Sequence, residues 1–82
     1  MTATREDPIP GRVREAWSAH LRHHDFGADD DFFDVGGHSV LVAHVMATLT
    51  RDLGARLPLR LFFDNPTVAG LSAAIATHLD RT

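Results

Sequence analysis

The stretch Asp34-Val35-Gly36-Gly37-His38-Ser39-Val40-Leu41 limits what the rest of the chain can build. Two adjacent glycines let the backbone turn sharply, because glycine has no Cβ to clash at positive φ. The residues after them, Val40-Leu41-Val42-Ala43-His44-Val45-Met46-Ala47, read as a helix. Ser39 is thereby expected at or next to a helix N-terminus, with its hydroxyl beside unpaired backbone N–H groups. Two roles suit that place. One is N-capping, a common serine role. The other is attachment of a phosphate-linked group, whose negative charge the helix end favours. Val42 stands where a capping box needs Glu or Gln, which weakens the first reading.

With 82 residues the chain forms one domain at most. Its 44% hydrophobic content is that of a globular protein. There is no cysteine, so neither disulfides nor a thiolate zinc site can hold a small core together, and stability rests on helix packing. All eight basic residues are arginines, scattered through a chain of net charge −3. Nucleic-acid binding therefore lacks its electrostatic footprint. No apolar run approaches the length of a membrane span, and Met1–Asp7 has no signal-peptide core. A cytoplasmic monomer is expected.

Residues 1–8 read as a polar lead-in, residues 9–80 as the domain and 81–82 as a tail. Pro8 and Pro10 suit the first turn of a first helix running to about Arg22. Val13, Ala16, Trp17, His20 and Leu21 make its inner face, with Trp17 as core anchor and Ser18 outside that face. A long connection, residues 23–37, follows. Its Phe26, Phe32, Phe33 and Val35 are expected to pin it over the helices, and Asp29-Asp30-Asp31 to cap a turn. A second helix covers Ser39 to Leu53, with Gly54 as its stop and Arg51 in its last turn. Leu41, Val45, Leu49 and Leu53, with Val42 beside them, are expected to face the core. Val40, Ala43, Met46, Ala47 and Thr50 are then left pointing at least partly outward, an apolar stripe that implies a partner surface. A short helix follows, with Pro58 as its first residue. Asn65-Pro66-Thr67 stops and restarts the chain, and a last helix spans Thr67 to Leu79. Val68, Leu71, Ala74, Ile75, His78 and Leu79 make its inner face. No strand pattern is present.

The run Phe32-Phe33-Asp34-Val35-Gly36-Gly37-His38-Ser39 resembles the signature around the modified serine of peptidyl carrier proteins, the thiolation domains of nonribosomal peptide synthesis. Leu57-Pro58-Leu59-Arg60 and Pro66-Thr67-Val68-Ala69-Gly70-Leu71 resemble later parts of the same family, in the expected order, so the likeness runs from about Val13 to Leu79. It implies an all-α, acyl-carrier-protein-like four-helix bundle of three main helices and one short helix, with a long first loop. It also implies a carrier rather than an enzyme. Ser39 would bear 4′-phosphopantetheine from coenzyme A, with Gly37 and His38 supporting, and the arm's thiol would hold an aminoacyl or peptidyl thioester. The implied partners are a phosphopantetheinyl transferase and adenylation, condensation, tailoring or thioesterase enzymes, working in secondary-metabolite assembly.

Two departures stand out. Val40 replaces the usual leucine, and Leu61 occupies a commonly polar position. Val40, Ala43, Met46, Ala47 and Leu61 are the expected partner surface. Carriers of fatty acid and polyketide synthesis usually place Asp before the serine and acidic residues on the second helix. Here His38 precedes Ser39, and no acidic residue lies between Val35 and Arg51, which favours the peptide-type carrier over the fatty-acid type. A helical adaptor whose serine is only a cap is the rival of another class.

Other chemistry is weaker. His38 is adjacent to Ser39, poor geometry for a base, and is expected to contact the phosphate or a partner. A triad of Ser39, His38 and Asp34 has no separate support. His20, His23 and His24 read as solvated helix-end residues, because a structural zinc site needs more ligands. His44 and His78 read as surface or boundary residues. The aspartate run lacks the order of a calcium loop.

Overall fold

A computed structural model describes residues 8–81, so the lead-in up to Asp7 and the terminal Thr82 lie outside the described residues. Four helices follow one another: α1 (Pro8–Leu21), α2 (Ser39–Leu53), α3 (Arg60–Asp64) and α4 (Val68–Asp80). Among the described residues there is no strand. The expected all-α bundle with a long first loop is the fold observed.

Each helix end has a local cause. Pro8 and Pro10 sit in the first turn of α1, where their missing N–H groups leave no bond unmade. Arg22 ends α1 in the left-handed region, φ 68°, with its N–H donating to the Ser18 carbonyl at 2.7 Å. Gly54 ends α2 in the same region, φ 66°, and its N–H returns to the Thr50 carbonyl, as a helix-terminating glycine should. The short helix starts at Arg60 rather than Pro58. Pro58 and Leu59 instead form the turn into it, their carbonyls accepting from Leu61 and Phe62. Thr67 caps α4, its Oγ1 accepting from the Gly70 N–H at 2.9 Å.

α1 packs on both α2 and α4, and α3 packs on α4. Trp17 is fully buried at the centre, with the rings of Phe26, Phe32 and Phe62 at 5.4, 4.8 and 5.8 Å from its own. Aromatic pairs at such spacings add about 0.5–1.5 kcal/mol each beyond their area burial. The Trp17 Nε1–H and the Ser72 hydroxyl are buried without a hydrogen-bond partner. An orphaned buried polar group costs about 1–3 kcal/mol. The aromatic burial outweighs it at Trp17.

Three inner faces differ from expectation. Ser18 is buried with Val13, Ala16 and Trp17, and Ser72 with Val68, Leu71 and Ile75, because a helix in a small bundle is covered on more than its apolar stripe. On α2 the buried residues are Val42, Val45, Met46 and Leu49. Their spacing is three, four, seven, a tighter stripe than the spacing-four row from Leu41 to Leu53, both of which are only partly buried. Met46 is thus a core residue, 2% exposed, and not part of any outward surface.

Candidate functional site: the Ser39 platform

The loop between α1 and α2 has no regular structure, yet it is tied down along its length. Arg14 donates from Nη2 to the Phe26 carbonyl at 2.6 Å and lies 4.7 Å over the Phe26 ring. Ala69 N–H donates to the Ala28 carbonyl at 3.0 Å, joining the loop to the start of α4. The Gly27 N–H donates to Asp30 Oδ2 and the Phe33 N–H to Asp31 Oδ1, so these two aspartates cap turns. His23 Nε2 bonds the Val35 carbonyl at 2.8 Å.

Phe32 is the keystone. Its ring is fully buried against Trp17 and Phe62. Its N–H donates to the Pro66 carbonyl at 2.8 Å, and its own carbonyl accepts from Gly37 at 2.9 Å. The two glycines therefore serve different needs. Gly36 has φ 111°, a conformation side chains rarely adopt. Gly37 does not need positive φ; a Cβ there would overlap the Phe32 ring. Close approach, not turning, requires the second glycine.

Directly after this anchor, His38 is extended (φ −154°, ψ 173°) and Ser39 begins α2. The residue at the cap position is His38, and no side chain caps the helix. Ser39 is one residue too late to cap, so the capping role does not hold. Its side chain is exposed and makes no hydrogen bond among the described residues. The first intrahelical bond runs from Val42 N–H to the His38 carbonyl, at 3.0 Å, which leaves the N–H groups of Ser39, Val40 and Leu41 without a helical acceptor. No acidic residue occupies the first turn. A free hydroxyl, unpaired donors and the positive end of a helix dipole suit an esterified phosphate. The residues present thus fit a phosphopantetheine arm.

No hydrogen bond joins Ser39 to His38 or Asp34 among the described residues, and all three side chains are exposed, so no triad is assembled. The histidines expected to be solvated at the end of α1 are partly structural: His20 Nε2 meets Thr48 Oγ1 at 3.0 Å and His23 holds Val35, while His24 is exposed. His78 Nε2 contacts the Arg56 carbonyl at 3.0 Å. Among the described residues no group of three or more metal-ligating side chains occurs.

The expected partner surface is redrawn. Val40, 59% exposed, Ala43 and Ala47 lie outside on α2. Met46 is buried, as above. Leu61 is half-buried and lines a groove between α3 and α4. Helical geometry puts Leu59 and Phe63, four apart, on one side of α3 and Leu61 on another. Sequence reasoning missed Leu59, Phe33 and Phe63 as surface residues. Phe33 (39% exposed) stacks on Phe63 (46% exposed) at 6.3 Å and 14°, with Leu59 exposed one turn before Phe63. The signal was the double Phe at 32–33 and again at 62–63: with one ring of each pair in the core, its neighbour is left outside.

Comparison with known proteins adds the family. The pattern of the family described as Phosphopantetheine attachment site matches residues 11–75. A linear gramicidin synthase of Brevibacillus parabrevis is 39% identical over 83 residues, which cover 94% of this chain and 1% of that protein. The chain thus spans about a hundredth of that relative's length. The peptidyl carrier protein from the structure of the phosphopantetheine transferase Sfp with coenzyme A superposes with a TM-score of 0.77 at 30% identity, covering 94% of each chain. A solution structure described as a prototype for the peptidyl carrier domains of modular peptide synthetases gives 0.72 at 32% identity, covering 84% of this chain and 91% of that one. No helix among the described residues is long and apolar enough to cross a membrane. A helical bundle that presents a free serine at a helix mouth, and that matches this family over most of its length, belongs to the phosphopantetheine-attachment family as a carrier domain of the nonribosomal peptide synthetase kind.

Proposed function

We propose that Ser39 is the residue of this carrier domain that bears 4′-phosphopantetheine, and that the domain presents an aminoacyl or peptidyl group to successive enzymes. The supporting observation is the state of the Ser39 hydroxyl: exposed, unbonded, and fixed in place by the Phe32–Gly37 contact behind it. The bound arm supplies a thiol on which cargo is held as a thioester. Ser39 supplies the anchoring oxygen. The N–H groups of Val40 and Leu41, which lack a helical acceptor, would favour the phosphate of the link, and His38, exposed beside Ser39, would contact that phosphate or the transferase. On modification the Ser39 oxygen would take the phosphoryl end of the arm from coenzyme A, and adenosine 3′,5′-bisphosphate would leave. With no base bonded to Ser39, the serine proton would go to a group of the transferase; the domain, like its family, is a substrate of that enzyme and not a catalyst.

The partners follow from the surface. Val40, Ala43 and Ala47 on α2 are uncharged, as is the Phe33–Phe63–Leu59 patch. Docking there rests on apolar contact with small, transient interfaces. A phosphopantetheinyl transferase, an adenylation domain that loads the thiol, and condensation, tailoring or thioesterase enzymes are the partner classes. The working unit is residues 9–80, and the setting is the cytoplasm. Two measurements test this. Intact mass after incubation with coenzyme A, magnesium and a broad-range transferase should rise by one arm in the native chain and stay unchanged in S39A. The modified domain should then accept an amino acid from an adenylation domain with ATP, and not an acyl group from a fatty-acid acyltransferase. Loading by the acyltransferase alone would overturn the peptide assignment.

A further inference from the structure

The outward face of α4 carries a row of small residues. Gly70, Ala73, Ala74 and Thr77 recur at helical spacing along it, away from the buried face of Val68, Leu71 and Ile75. Because α3 has five residues and α4 thirteen, the short helix walls only part of that face. The result is an open groove of about 710 Å³, walled by Arg60, Leu61 and Asn65 on one side and ending at His78 and Arg81. A second hollow of about 420 Å³ shares His78 with it and adds Arg56. Arg56, Arg60 and Arg81 are exposed, and none of their side chains has an ion-pair or hydrogen-bond partner among the described residues. No carboxylate lines either hollow, although the chain as a whole carries −3.

We infer that this α3–α4 groove is a second docking surface, separate from the Ser39 face, and that it takes an acidic polypeptide segment with a stripe of small or aliphatic side chains. Charge complementarity selects the occupant: the unpaired guanidinium groups of Arg60 and Arg81 on the groove, with Arg56 on the adjoining hollow, attract carboxylates and repel cations. Shape selects a polypeptide over a small molecule. The trough is open along α4, and the small side chains of Ala73 and Ala74 let a neighbouring backbone come close. Flanking chain is at hand in relatives, where a domain of this length makes up 1% of a single polypeptide. The inference does not depend on which residue bears the arm.

The test is an amide-shift titration of the labelled domain with an acetylated peptide of roughly four helical turns repeating Glu-Ala-Leu-Ala. A second peptide replaces every Glu with Lys, and inorganic phosphate is titrated alone. The expected result is saturable shifts confined to residues 60–65 and 70–81, with affinity falling about threefold or more when salt is raised from low to well above physiological strength. R60Q/R81Q and A73E should each weaken binding about threefold or more while keeping the native spectrum, and S39A should bind as the native chain does. No saturable shift, equal binding of the Lys peptide, shifts centred on α2, or the same shifts from phosphate alone would each overturn the docking site.

Discussion

Replacing Gly37 with alanine tests how the platform is built. The backbone at Gly37 lies outside the left-handed region, so alanine can adopt it, and the lower entropy of the unfolded chain would by itself favour alanine by about 0.4–1 kcal/mol. The new Cβ would overlap three atoms of the Phe32 ring. That ring cannot step aside freely, with Trp17 and Phe62 each 4.8 Å from it. Overpacking at such a site costs about 1–3 kcal/mol, toward the upper end for a rigid ring, so the net loss is about 2 kcal/mol. In a domain of this size that lowers Tm by roughly 8–16 °C, which circular dichroism on heating and urea titration both read. The stability of a small domain, about 4–12 kcal/mol, is large enough for the variant to fold. F32L/G37A closes the cycle: with the ring gone, the Gly37 penalty should shrink by about 1 kcal/mol or more. A change under about 0.5 kcal/mol in G37A, or the same penalty with and without Phe32, would refute the close-approach argument.

Three other substitutions probe separate claims. Gly11 lies exposed inside α1, where a Cβ would meet nothing within 4 Å, so G11A should stabilise the domain by about 0.5–1 kcal/mol, measured by urea unfolding. M46A should cost about 2–5 kcal/mol by the same assay, while A47S on the exposed side stays within about 0.5 kcal/mol; equally small effects would return Met46 to the surface. F33S/F63S should lose only about 1 kcal/mol of stability yet raise the KM of the transferase or adenylation partner about tenfold, and an unchanged KM for every partner would remove the aromatic pair from the interface.

The residues differ in how far their roles can be read from sequence. Helix ends were legible because single residues cause them: Pro8 and Pro10, Gly54 and Thr67 act within one turn of themselves. Ser39 was legible as the serine that opens a helix just after a glycine pair. Its capping role was not excluded, because one position decides between cap and first helical residue. The inner face of α2 was misread for a physical reason. Apolar residues surround that helix, so rows starting at Leu41 and at Val42 fit the pattern about equally, and only packing against α1 chooses between them. Likewise nothing local says which ring of Phe32-Phe33 or Phe62-Phe63 enters the core. The purpose of Gly37 depends on Phe32, five positions earlier, which the three-dimensional path of the loop brings against it. The structural histidines bond partners across the fold, His20 to Thr48 and His23 to Val35, which no local pattern announces.

Tryptic digestion after transferase treatment addresses the attachment residue itself. Cleavage at the arginines isolates residues 23–51, a fragment in which Ser39 is the only serine, from the fragments that hold Ser18 and Ser72. Fragmentation of that peptide should release the pantetheine moiety and place the added mass on Ser39 alone, with none on the S39A digest. Modification found on Ser18, Ser72 or a threonine, or persisting in S39A, would contradict the claim that this hydroxyl holds the arm.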